Sequence, residues 1–186
     1  KEYYYRVRAQ NPADLTPVER AARFIYLNRT CYNGLYRENK KGEFNVPFGR
    51  YKNPTICQEE RLRAAAAALQ NVALRVGDFD AVLAEAQSGD FVYLDPPYAP
   101  LSPTSSFTSY HRLGFDEADQ RRLAATMADL TARGVRVMQS NSSADLIYEL
   151  YGDDYRLEEV QARRNINSKA HKRGPVKELL ILNYET

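Results

Sequence analysis

Two rhythms of apolar positions run along this chain. The first is helical. Residues 17–29 (PVERAARFIYLNR) set Ala21, Ala22, Phe24, Ile25 and Leu27 on one face. Thr16 precedes them as N-cap, Pro17 takes the first turn and Glu19 reaches back. Residues 58–70 (QEERLRAAAAALQ) predict a second helix on propensity. The second rhythm is one of short unbroken runs. Residues 72–76 predict a strand ending at Gly77-Asp78, and residues 80–86 a short helix. Phe91-Val92-Tyr93-Leu94 predicts a buried strand, followed by a long loop over residues 99–114. A helix over 116–133 opens on Asp116, has Asp119 in its first turn and stops at Gly134. Val135-Arg136-Val137-Met138 is the next strand, ending at Ser140-Asn141-Ser142, and residues 143–151 are helical. Residues 155–164 and 176–184 form a terminal antiparallel pair. The alternation after residue 72 predicts an α/β domain with a mainly parallel sheet. Residues 30–54 keep no period and are punctuated by Asn33-Gly34, Lys41-Gly42, Pro47 and Gly49.

Composition changes this picture little. A chain of 186 residues makes one domain, with room for a small subdomain. Its 26 basic and 24 acidic side chains leave a net charge of only +2, so global charge says little about a polyanionic partner. Cys31 and Cys57 lack metal-ligand spacing and fit a reducing compartment. No apolar leader opens the chain and no stretch is long enough to span a bilayer. Tyrosine, at 14 residues, offers stacking faces with polar tips.

The chemistry concentrates in Asp95-Pro96-Pro97-Tyr98, which closes the buried run at 91–94. Ligands of open α/β sheets bind outside the carboxyl ends of the strands. An amine on an aromatic base is a poor nucleophile because its lone pair is delocalised into the ring. Two fixed acceptors for its N–H groups rotate it toward tetrahedral geometry. The Asp95 carboxylate offers one acceptor and the Pro96 carbonyl the other. Pro96 and Pro97 fix φ, and Pro97 restricts Pro96 further, so the acceptors are in place before a base arrives. Tyr98 offers a stacking face. A strand ending in an Asp-Pro turn is the plainer alternative.

Residues 32–52 hold Arg37, Lys40, Lys41, Arg50 and Lys52 with aromatics between them. Such a segment is either a solvated basic hairpin loop or a nucleic-acid reader, and composition alone favours neither. Beside a base-binding site, the second reading prevails.

Several blocks carry a family resemblance: Tyr26-Leu27-Asn28-Arg29, Tyr32-Asn33-Gly34-Leu35-Tyr36-Arg37, Phe44-Asn45-Val46-Pro47-Phe48-Gly49, the tetrapeptide continued by Ala99-Pro100-Leu101-Ser102, and Phe107-Thr108-Ser109-Tyr110. In order and spacing, over nearly the whole chain, they strongly resemble the Dam-type DNA adenine-N6 methyltransferases, class alpha amino-methyltransferases. The resemblance implies a partial Rossmann-like, S-adenosylmethionine-dependent methyltransferase sheet, with an inserted, mainly helical and hairpin DNA-recognition subdomain. Residues 1–71 would be that subdomain and residues 72–186 the C-terminal part of the catalytic domain. It implies S-adenosylmethionine as methyl donor and a flipped adenine in double-stranded DNA, commonly within GATC, as acceptor. Asp95, Pro96, Pro97 and Tyr98 are the catalytic residues it implies. Asp78 and Phe79 would meet the cofactor's adenine, with Asp95 near its methionine end. On DNA, Tyr32 would insert into the stack, Leu35 and Pro47 touch base edges, and Arg37 read guanine. Arg8, Asn33, Asn39, Asn45, Arg50 and Ser102 would make backbone and flanking contacts.

The family's glycine-rich cofactor loop has no counterpart here, since no Gly-x-Gly follows an N-terminal strand. The chain thus resembles the family without its N-terminal cofactor-loop segment. Direct methyl transfer needs no metal, and neither His111 nor His171 has a metal or triad pattern. The expectation is a monomeric, DNA-associated protein of a prokaryotic or phage cytoplasm, housekeeping or tied to restriction–modification. Two alternatives stand beside it: a non-catalytic DNA-binding relic or regulator, and an amino-methyltransferase acting on RNA or protein. The basic stretch Arg163-Arg164-Asn165-Ile166-Asn167-Ser168-Lys169 is expected at a hairpin tip near phosphates or solvent.

Overall fold

A computed structural model describes residues 1–101, 115–163 and 175–185. The chain divides into two compact units, Lys1–Arg75 and Val76–Thr186.

The first unit packs α1 (Glu2–Ala9) on α2 (Pro17–Thr30). Helix α2 starts on the capping box foreseen at Thr16 and Glu19, the Thr16 N–H donating to Glu19 Oε2 at 2.9 Å. Helix α1 has no sequence expectation behind it. It buries only Tyr4 and Val7, and Arg23 of α2 closes its end by donating to the carbonyls of Val7 (3.1 Å) and Arg8 (2.8 Å). Its core is Tyr4, Val7, Leu27, Cys31, Phe44 and Val46. The aperiodic segment folds back on itself through isolated antiparallel bridges, Cys31 to Phe48 and Glu38 to Phe44. Gly49 is required there by close approach. A Cβ on it would lie 2.7 Å from the Cys31 carbonyl and 2.6 Å from the Tyr51 ring. Helix α3 (Glu59–Ala68) buries none of its side chains and stands on alanine propensity and a Glu59–Arg63 pair one turn apart.

The second unit is a mixed sheet in the order β1-β2-β4-β3, with β1 at Phe91–Leu94, β2 at Arg136–Ser142, β3 at Arg156–Arg163 and β4 at Pro175–Leu182. Only β1 and β2 run parallel, joined through helix α4 (Glu117–Ala132). β4 pairs antiparallel with both β2 and β3. The expected mainly parallel sheet is thus corrected among the described strands, because the terminal hairpin docks onto β2. Helix α4 opens on Asp116, as foreseen, and reciprocal bonds between Asp116 and Asp119 complete a capping box. Its Leu123, Met127 and Leu130 pack with Val137, Leu179 and Ile181 of the sheet and with Ile147 and Tyr151 of α5 (Asp145–Tyr151).

Three further expectations change. The run at 91–94 forms β1, but Phe91 and Tyr93 are exposed and only Leu94 is buried, since β1 is an edge strand of the described sheet. Residues 72–76 form no strand, and Val72, Leu74 and Val76 lie exposed, since β propensity without a paired neighbour makes no ladder. The short helix expected at 80–86 is a 3₁₀ turn, Phe79–Ala84, capped by Asp78. No helix among the described residues is long and apolar enough to cross a membrane. None of their buried side-chain nitrogens or oxygens lacks a hydrogen-bond partner.

Candidate functional site

Parallel pairing of β1 and β2 brings their carboxyl ends to one edge of the sheet. Leu94 is registered opposite Gln139, so Asp95 leaves the sheet beside Ser140. Ser140 Oγ donates to Asp95 Oδ1 at 2.7 Å, which fixes the carboxylate, while the residue as a whole stays exposed. Pro96 and Pro97 follow without N–H groups, so side chains must hold the loop from outside. Gln120 of α4 donates to the Pro97 carbonyl at 2.9 Å, and the Ala99 N–H donates to Asn141 Oδ1 at 3.0 Å. Among the described residues, none donates to the Pro96 carbonyl.

The Tyr98 ring is partly open to solvent, and its hydroxyl points to Glu178 on β4 across a long 3.5 Å contact. Burial holds that hydroxyl above its ordinary pKa. Ser140 offsets part of the shift, and the Glu178 and Asp95 carboxylates add to it.

Asp78 and Phe79 meet a different partner. Arg122 of α4 grips the Asp78 carboxylate at 3.0 Å, reaches Asp80 at 2.8 Å, and lies 4.2 Å over the Phe79 ring. The Phe79 N–H takes another Asp78 lone pair at 2.7 Å. Arg122 holds the Asp78 carboxyl below its ordinary range.

In the first unit, Arg8, Asn39 and Asn45 line one cleft of about 560 Å³. Tyr32, Asn33, Leu35, Arg37, Pro47 and Arg50 are outside its lining. Tyr32 is exposed at the head of a short 3₁₀ turn, its N–H fixed by the Pro47 carbonyl at 2.9 Å. Asn33 holds a left-handed backbone with φ 54°. Leu35 packs on the core, whereas Pro47 and Arg50 are exposed. Asn39 is committed to its own turn, accepting from the Lys41 and Glu43 N–H groups and donating to the Glu43 carboxylate. Arg37 is exposed and donates through Nε to Asn45 Oδ1 at 2.7 Å, and its outer two nitrogens have no hydrogen-bond partner among the described residues. Arg8 lies over the Tyr5 ring and donates to the Val46 carbonyl. Ser102, the 107–110 block, His111, Arg164 and His171 lie outside the described residues.

Two residues of the site escaped the sequence reading. Gln120 occupies an apolar-stripe position of α4, three and seven residues before Leu123 and Met127, and a buried amide in such a stripe was the available signal. Glu178 gave none.

The chain's similarities agree with this arrangement. A family model described as D12 class N6 adenine-specific DNA methyltransferase matches residues 1–166. The chain is 50% identical to type II methyltransferase M.MjaIII of Methanocaldococcus jannaschii, an alignment taking in 99% of this chain and 65% of that protein. It is 45% identical to type II methyltransferase M1.LlaDCHI of Lactococcus lactis subsp. cremoris, over 99% of this chain and 66% of the relative. Against the DNA adenine methylase of Escherichia coli K12 it is 42% identical, over 97% of this chain and 64% of that enzyme. The chain spans just under two thirds of the length of each. With most of its length matched and an aspartate, two prolines and a tyrosine set at the end of a parallel strand, this chain belongs to the D12 class N6 adenine-specific DNA methyltransferase family.

Proposed function

We propose that the whole protein moves a methyl group from S-adenosylmethionine to the exocyclic N6 amine of an adenine flipped out of double-stranded DNA, within GATC. The observation that carries this reading is the pair of acceptors at the end of β1. One Asp95 oxygen is anchored by Ser140, and the neighbouring Pro96 carbonyl has no donor among the described residues. The relatives' names, type II methyltransferase and DNA adenine methylase, support DNA adenine as acceptor. In this reading the protein acts as a monomer on cytoplasmic DNA. Residues 1–71 read the duplex, and residues 72–186 carry the acceptor side of the reaction.

S-adenosylmethionine, when bound, supplies a methyl group on a positively charged sulfur. The donor set here fits it in part. Asp95 is an exposed carboxylate suited to a cationic methionine end. Phe79 offers an aromatic edge for the adenine end. The Asp78 carboxylate is engaged by Arg122 and by the Phe79 N–H, which hold it beside Phe79. Asp78, Phe79 and Asp95 are the residues that would hold the group.

Tyr32 helps open the stack, at a cost of roughly a few kcal/mol offset by stacking on Tyr98 and by edge hydrogen bonds. Asp95 and the Pro96 carbonyl each accept one N–H of the amine and so turn its lone pair out of the ring. Asp95 then takes up a proton, and a weak base suffices because the amine turns strongly acidic as it attacks. A labelled-methyl assay with the intact protein tests this. Label is expected in N6-methyladenine of GATC duplexes, and label in RNA or protein instead would refute it.

In this reading Arg37 reads guanine, with Nε held by Asn45 and its outer two nitrogens left to pair with the base edge. Arg37→Ala is expected to relax choice at one guanine by about 1–3 kcal/mol, measured by competition between sites. A uniform loss across all sequences would mark a phosphate contact instead.

A further inference from the structure

We infer that Gln120 and Asn141 are positioning residues, an amide relay that fixes the proline loop and keeps the Pro96 carbonyl available for the target amine. The inference rests on the reading of the Asp95–Pro96 pair given above. Both side chains are almost wholly buried, at 2% and 0% exposure. Their hydrogen bonds have one possible polarity. The N–H groups of Ala99 and Ser142 can only donate, and both meet Asn141 Oδ1, at 3.0 and 2.9 Å. Asn141 Nδ2 must therefore face Gln120 Oε1, at 3.1 Å. That leaves Gln120 Nε2 to donate to the Pro97 carbonyl, at 2.9 Å. The orientation of both amides thus follows from backbone donors that cannot invert. Ser142 Oγ closes the bracket by donating to the Ala99 carbonyl at 2.6 Å.

The relay answers a problem set by the sequence. Two consecutive prolines have no N–H groups with which to dock, so the loop is held through a carbonyl and through an amide further along, that of Ala99. Gln120 takes the Pro97 carbonyl and Asn141 takes the Ala99 N–H. With those two points held, Pro96 lies beside a fixed loop, its carbonyl without a donor among the described residues. Neither amide is placed to touch the acceptor base, so both act through the loop.

Substitution of Gln120 tests this in the intact protein. Gln120→Leu keeps the bulk and leaves the Pro97 carbonyl without its donor. Turnover is expected to fall about 10- to 100-fold, the scale of a small misplacement of reacting groups. KM for duplex and equilibrium duplex affinity are expected to stay near wild type. Hydrogen-exchange protection of the Ala99 amide is expected to fall at least tenfold in the same variant, with the Ser142 amide, which shares its acceptor, falling alongside and the rest of β2 and β4 unchanged. Gln120→Glu adds a pH readout. Its carboxyl donates to the Pro97 carbonyl only when protonated, and burial raises its pKa. Relative to wild type, turnover of Gln120→Glu is expected to be near normal at about pH 6 and to drop toward the Leu level by about pH 9. Wild-type protection at Ala99 in Gln120→Leu, or a flat ratio across pH in Gln120→Glu, would overturn the relay. Lost protection at Ala99 in a protein whose wild type never methylates DNA would uphold the relay and refute the proposed activity instead.

Discussion

Asp95→Ala is expected to cut methyl transfer by at least about 10²–10³-fold, the scale set by removing one preorganised polar group from a transition state. The reason is geometric. With Ser140 anchoring one oxygen, the carboxylate is a fixed acceptor for one N–H of the target amine. Without it the Pro96 carbonyl alone cannot hold the amine out of conjugation with its ring. Duplex affinity is expected to stay near wild type, because the DNA-reading residues are assigned to other segments of the chain. The thermal midpoint should also hold, since Asp95 is exposed and its removal leaves no cavity. Turnover, a binding titration and a melting curve on one preparation check all three. Full activity in Asp95→Ala would remove Asp95 from the mechanism.

The second large effect is expected at Tyr4, on stability. Tyr4 is fully buried in the core of the first unit, and its hydroxyl donates to the Val46 carbonyl at 2.9 Å. Tyr4→Ala is expected to cost about 3–5 kcal/mol, the range for emptying an aromatic site in a core. Tyr4→Phe should cost only about 0.5–1.5 kcal/mol, because Arg8 still donates to the Val46 carbonyl, at 3.2 Å. Denaturant melts of the two variants check the difference.

Tyr4 also gives stability a pH dependence with a definite sign. Burial, with the Cys31 thiol adding to it, pushes the hydroxyl up from 10 to about 12. The folded state therefore favours the protonated phenol. Its contribution is complete below about pH 10 and is lost as pH rises toward about 12. Tyr151, paired with Gln139 in the second core, is pushed up to about 12 by burial as well. Tyr4→Phe should remove the alkaline loss in the first unit and leave that of the second.

What the sequence disclosed follows the range of the interactions involved. The starts of α2 and α4 were legible because each capping box closes within three residues. The tetrapeptide was legible because the apolar run before it is contiguous. Helix α1 was not, since the contact that fixes Tyr4 lies 42 residues away, on Val46. The strand expected at 72–76 had the right residues and no ladder partner, and pairing is not written in local composition. The sheet was misjudged for a related reason, because whether a terminal hairpin docks antiparallel on β2 depends on register with residues some forty positions earlier. At the site, Asp95 and its neighbours could be named from sequence, whereas Gln120 reaches the Pro97 carbonyl from 23 residues away on another element.

The decisive measurement is a crystal structure of the intact protein with a GATC duplex and a donor analogue that cannot release its methyl. The adenine N6 atom is expected within hydrogen-bond distance of both the Asp95 carboxylate and the Pro96 carbonyl, with its ring against Tyr98. An adenine still stacked in the duplex, or held by other groups while Asp95 faces away, would contradict the account.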